Sequence, residues 1–150
     1  RDFCLSRGLG DVYKRQIYIS AFDNGDGRSM EQPALPDMKY TRGVVYKVDQ
    51  KKMTVEQVYS VGQDKGYEYY SPVTGLAQYM PDKNSFIVYY STAGMGETLS
   101  GKTSRLNLHP FLAEYKWGEQ EPSVLMSFKD TMGYQAWAFD LKKAFPASSK

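Results

Sequence analysis

Thr41-Arg-Gly-Val-Val-Tyr-Lys-Val48 and Thr54-Val-Glu-Gln-Val-Tyr-Ser60, joined through Asp49-Gln-Lys-Lys52, decide the fold class. Both runs are β-branched and aromatic, and the polar link between them turns without burying apolar surface, so the pair reads as an antiparallel hairpin. The pattern repeats outward from it. Gly75-Leu-Ala-Gln-Tyr79 and Ser85-Phe-Ile-Val-Tyr-Tyr90 flank Met80-Pro-Asp-Lys-Asn84, whose Pro81 and Asn84 suit turn positions. Phe111-Leu-Ala-Glu-Tyr115 and Val124-Leu-Met-Ser-Phe128 flank Gly118-Glu-Gln-Glu-Pro122. Upstream, Ile17-Tyr-Ile-Ser-Ala-Phe22 has the alternation of a further strand, and Tyr134-Gln-Ala-Trp-Ala-Phe139 closes the apolar pattern. No long helical period competes. The expectation is an all-β, antiparallel meander with long connections at 23–38 and 91–109. A propeller collects such loops on one face, and a sandwich is the alternative.

Composition agrees. Aromatic residues make up 15% of the 150 residues, with thirteen tyrosines and seven phenylalanines, a bias that favours strands. The longest apolar run, Phe86–Tyr90, is far short of the roughly twenty residues that a bilayer-spanning helix needs. A formal net charge of +2 gives no electrostatic footprint for nucleic acid or anionic lipid. One cysteine and one histidine exclude an internal disulfide and the Cys/His zinc cages, so neither metal nor cofactor is expected.

Residues 1–16, RDFCLSRGLGDVYKRQ, lack both a secretory h-region and any strand or helix period. They resemble peptides found at the ends of metagenomic translations where sequencing-adapter sequence is read as coding sequence, and are set aside as a non-native leader. With them go the sole cysteine, Cys4, and the slight excess of basic charge. Residues 17–150 then read as the C-terminal part of a longer β protein. The strands available suffice for about two propeller blades, which do not close a propeller on their own.

Three local motifs carry chemistry. Gly96-Glu-Thr-Leu-Ser-Gly-Lys-Thr103 matches the phosphate-loop pattern GxxxxGK[ST], which arises by chance in about one chain in two hundred of this length. Its chemistry needs a parallel strand before it and a helix N-terminus after it. The residues beyond Thr103 are instead Leu106 and Leu108 at strand spacing and then Pro110, so a polar loop is the competing reading. Ala136-Trp-Ala-Phe-Asp140 imitates the acidic strand of such enzymes and reads equally as a last β-strand. Asp23-Asn-Gly-Asp-Gly-Arg28 invites a calcium-loop reading that fails because positions 3 and 5 are glycines. Asn-Gly and Asp-Gly make a double turn, which leaves Arg28 at its end, where a guanidinium can grip an oxyanion in bidentate fashion.

Phe22-Asp-Asn-Gly-Asp-Gly-Arg28, Met30-Glu-Gln-Pro33, Tyr40-Thr-Arg42, Tyr46-Lys-Val-Asp-Gln-Lys-Lys52, Gly66-Tyr67 and Tyr70-Ser-Pro72, in that order, resemble the bacterial arylsulfate sulfotransferases. The likeness is strongest over residues 20–90 and extends to Gly133-Tyr-Gln-Ala-Trp137. The resemblance implies a six-bladed β-propeller, exported to the periplasm or beyond the cell. Its implied reaction passes a sulfuryl group from an aryl sulfate to a phenol through a sulfohistidine, without a nucleotide sulfate donor. Arg28 matches an active-site arginine of the family. Its implied role is to hold the equatorial sulfuryl oxygens as charge shifts to the phenolate, a preorganised contribution of roughly 3 kcal/mol. Lysine lacks the fork geometry.

Two features depart from the family pattern. The resemblance places the nucleophilic histidine just after the Phe86–Tyr90 strand, where the sequence reads Ser91-Thr-Ala-Gly-Met95. His109, the only histidine, lies before Pro110 and is either a displaced nucleophile or a solvated or capping residue. Other family histidines would fall upstream of Ile17, so the isolated chain is expected to be inactive. Some relatives carry a disulfide that this chain cannot form. A non-catalytic propeller binding module is the alternative function, and a nucleotide-binding protein is a more distant one. Tyr67, Tyr69, Tyr70, Tyr89 and Tyr90 read either as an aryl pocket or as core and edge packing.

Overall fold

The computed structural model describes residues 16–25, 40–95, 108–129 and 131–145. They form two antiparallel sheets, with few helical residues. The first sheet holds β1 (Gln16–Asp23), β2 (Arg42–Asp49) and β3 (Thr54–Val61) in sequential order. The second holds β4 (Leu76–Met80), β5 (Ser85–Tyr90), β6 (Phe111–Lys116) and β7 (Val124–Ser127), again in sequential order. The three hairpins read from the sequence are therefore present, each within a residue or two of its anticipated ends.

Each turn is set by its own residues. After β2, the Asp49 carboxylate accepts the amides of Lys51 and Lys52 at 2.9 and 3.0 Å, closing the polar link. After β4, the Asn84 amide donates to the Pro81 carbonyl at 3.3 Å, and Asn84 takes a left-handed φ of 48°. The β2–β3 register shifts by one residue between Val45 and Tyr46. This bulge leaves Val58 without a partner position and turns both Tyr59 and Val61 inward, where they are 7% and 1% exposed.

The core lies between the sheets. All six side chains of β5 are buried, as expected for a strand covered on both faces. Phe86 and Val88 of β5 press on β2 so closely that a Cβ at Gly43 would lie 2.5 Å from Val88 Cγ2. Aromatic rings fill the remaining space. Tyr90 stacks on Phe111 with centroids 4.7 Å apart, Tyr69 meets both rings, and Tyr59 packs on Phe86 and Trp117.

The last apolar segment departs from its expected form. Residues 134–139 form no strand, and Asp140 is instead the N-cap of the short helix α1 (Leu141–Ala144), its carboxylate accepting the amides of Lys142 and Lys143. The segment is held by the Gln78 side chain, which donates to the Ala138 carbonyl at 2.9 Å and accepts the Ala138 amide at 3.0 Å. Tyr134, Trp137 and Phe139 point outward, each more than half exposed. Alternation alone suggested a strand. The segment's backbone is tied to a side-chain amide rather than to a neighbouring strand. No helix among the described residues is long and apolar enough to cross a membrane.

Candidate functional site

The hairpin topology brings the end of β1, the start of β2, the loop before β4, the turn after β5 and the entry to β6 to one end of the two sheets. Asp23 and Arg42 face each other in the β1–β2 register, and Arg42 Nε donates to Asp23 Oδ2 at 2.9 Å. The other carboxylate oxygen accepts the Gly25 amide at 3.2 Å, which closes the first turn of the Asp-Asn-Gly run. Asn24 Nδ2 donates to the Pro72 carbonyl at 2.6 Å, tying this turn to the loop before β4. Gly25 has a φ of 74°, a conformation that favours glycine there.

Buried hydroxyls continue the connection. Thr41 Oγ1 donates to the Asn24 carbonyl at 3.1 Å and accepts the Ser71 amide at 2.8 Å. Ser71 Oγ accepts the Thr92 amide at 2.9 Å and pairs with Thr92 Oγ1 at 3.0 Å. Thr74 Oγ1 pairs with Ser91 Oγ at 2.6 Å. Thr41, Ser71, Ser91 and Thr92 have no exposed surface. A buried hydroxyl is costly unless bonded, and each of these is bonded.

The turn after β5, Ser91–Met95, is buried throughout and closes with the Met95 amide on the Thr92 carbonyl at 3.0 Å. The His109 amide donates to the Ala93 carbonyl at 2.9 Å, so the half-buried His109 sits beside this turn. The two stretches are joined by a long run of chain between Met95 and His109, most of it outside the described residues, yet the entry to β6 returns to the end of β5.

The tyrosines divide. Tyr69, Tyr70, Tyr89 and Tyr90 are buried and Tyr67 is half-buried. Burial pushes the phenols of Tyr69 and Tyr89 up and that of Tyr90 well above its ordinary range, so they remain neutral. Tyr69 and Tyr90 belong to the core cluster between the sheets, which is the packing reading of the two offered by the sequence. Arg28 and the whole Gly96–Thr103 motif lie outside the described residues. What sequence reading missed is the hydroxyl set at 41, 71, 74, 91 and 92. Its only signal is position, since each lies within a few residues of a strand end.

Two small antiparallel sheets built from hairpins in sequential order define a mostly-β protein. The particular family is given by sequence comparison. Residues 9–137, well over half of the chain, match the arylsulfotransferase (ASST) family, and the chain belongs to it. It is 44% identical over 89 residues to the arylsulfate sulfotransferase AssT of Escherichia coli O6:H1, and 39% identical over 89 residues to that of Lelliottia amnigena. Each alignment covers 59% of this chain and 15% of the relative, so the region compared is a small part of those proteins.

Proposed function

We propose that this chain forms part of an enzyme that transfers a sulfuryl group from an aryl sulfate to a phenol, within a β-propeller of which the two sheets are consecutive blades. The family match over residues 9–137 carries this reading. The sequential strand order of both sheets, and the meeting of the β1–β2, β3–β4 and β5–β6 connections at one end, are consistent with blade geometry. The relatives' length leaves room for the other blades. The fragment alone is then inactive, and the complete protein works in the periplasm or outside the cell.

Arg28 holds the sulfuryl oxygens under this proposal. It stands three positions beyond Gly25, the point to which the Asp23 and Asn24 contacts fix the chain. His109 supplies the imidazole, a choice supported by its backbone bond to Ala93 beside the turn where the family resemblance places a histidine. The imidazole nitrogen attacks sulfur while the aryl oxygen–sulfur bond breaks and the phenolate leaves. The acceptor phenol then attacks the same sulfur as the nitrogen–sulfur bond breaks, its proton passing through solvent to the released phenolate, and the imidazole is regenerated. No nucleotide or metal enters.

The test is to incubate the complete polypeptide encoded by the gene with 4-nitrophenyl sulfate and phenol, without any nucleotide sulfate donor. Phenol-dependent release of 4-nitrophenol with formation of phenyl sulfate is the expected result. One observation favours a second reading, a non-catalytic binding module: Ser91–Met95 contains no histidine. Saturable binding of the aryl sulfate without turnover would select it.

A further inference from the structure

We infer that Thr41 is a positioning residue, the hub of a buried hydroxyl chain that makes the turn after β1, the loop before β4 and the turn after β5 move as one platform. The inference deepens the transferase reading above and rests on it for the role the platform serves.

The bonds run in one unbroken order. The Asn24 carbonyl accepts from Thr41 Oγ1, which accepts the Ser71 amide; Ser71 Oγ accepts the Thr92 amide; and the carbonyl of the next residue, Ala93, accepts the His109 amide. A single set of hydroxyl proton positions satisfies every contact. Ser71 Oγ donates to the Thr74 carbonyl at 3.2 Å and Thr92 Oγ1 donates to Ser71 Oγ at 3.0 Å. Thr92 Oγ1 is then left to accept the Val73 amide at 3.4 Å. Core packing alone does not call for this, since valine or alanine fills the same volume without needing partners. The hydroxyls sit beside strand ends of both sheets, and the Thr41–Asn24, Ser71–Thr41 and Thr92–Ser71 bonds join segments that are 17 to 30 residues apart in the chain. A fully satisfied buried network of this kind fixes one arrangement of the loops it joins.

Transfer chemistry depends on such fixing, because a misplacement of about 1 Å can cost about a hundredfold in rate. Thr41 touches neither substrate nor reacting atoms. It acts through the placement of Asn24-Gly25, from which the chain runs on to Arg28, and of the turn that holds His109.

Thr41→Val keeps the shape and removes the hydroxyl, and Thr41→Ser restores it. In the complete polypeptide with 4-nitrophenyl sulfate and phenol, T41V is expected to lower kcat per folded molecule at least about tenfold. KM for the donor should shift less than about twofold, and T41S should stay within about threefold of the parent. Amide hydrogen exchange gives the second readout. In T41V the Ser71, Thr92 and His109 amides should lose protection together, and T41S should restore it. Parent-like kcat in T41V overturns the positioning role, and so does faster exchange confined to Ser71. If the parent protein itself shows no turnover, the transferase reading fails. The exchange pattern then still decides whether the platform exists.

Discussion

The backbone amide of His109 donates to the carbonyl of Ala93 at 2.9 Å, docking the entry of β6 on the turn that leaves β5. The bond is main chain to main chain, so the imidazole is not needed to maintain it. His109→Asn should therefore leave that docking bond in place. Removing a nucleophile should cost the complete protein at least about a thousandfold in turnover. Intact-mass analysis of the parent after a pulse of aryl sulfate should show one sulfuryl group, lost in H109N. Undiminished turnover in H109N would remove His109 from the mechanism.

Gly43 marks the closest approach of the two sheets. A methyl group there meets Val88 Cγ2 at 2.5 Å and Phe86 Cε1 at 2.7 Å, both on the fully buried β5. Gly43→Ala should destabilise the fold by about 1–3 kcal/mol, the usual range for overpacking. Denaturant titration measures it, and an unchanged midpoint would show that β2 and β5 are farther apart than described.

The hydroxyls of Tyr90 and Tyr115 are both buried, and neither has a polar partner among the described residues other than the other. The Tyr90 ring, by contrast, stacks on Phe111 and packs on Tyr69. Replacing both residues, Tyr90→Phe with Tyr115→Phe, keeps the rings and removes the two buried hydroxyls together, so it should leave stability unchanged or raise it by about 1 kcal/mol, whereas Tyr90→Phe alone leaves the Tyr115 hydroxyl unpaired. A loss of stability in the double variant, read by thermal or denaturant unfolding, would mean that the hydroxyls have further partners.

Burial, reinforced by the Glu119 carboxylate, pushes the Tyr59 phenol up to about 12. The phenol of the unfolded chain ionises near 10, so the folded state holds its proton where the unfolded state has lost it. The stability this supplies is complete below pH 10 and is lost as pH rises from 10 through 12. Tyr90 and Tyr115, both raised by burial, add to the same loss. Unfolding followed between pH 9 and 12 should show falling stability, with a shallower slope in Tyr59→Phe. A flat profile would contradict the burial of these phenols.

The strands were legible because turn residues and β-branched runs act locally. Asp49 and Asn84 each close their own turn without help from distant chain. Trp137 and Phe139 misled because alternation measures which residues face a surface, not whether a partner strand lies alongside; Gln78 holds that backbone instead. The tyrosines at 69 and 90 could not be assigned to pocket or core from spacing, since both uses want the same rings. The hydroxyl platform was invisible for a different reason. Thr41, Ser71 and Thr92 are ordinary loop residues until folding brings positions up to 30 residues apart into hydrogen-bond range. Arg28 drew notice through its motif and its family resemblance, and its position lies outside the described residues.

The proposed chemistry turns on Arg28 gripping the sulfuryl group, and kcat of Arg28→Lys in the complete protein with 4-nitrophenyl sulfate and phenol reads that grip without intermediaries. Lysine keeps the charge and loses the planar fork. A contribution of roughly 3 kcal/mol corresponds to a fall of about a hundredfold in kcat, with Arg28→Ala falling further. Parent-like turnover in both variants would contradict the role given to Arg28.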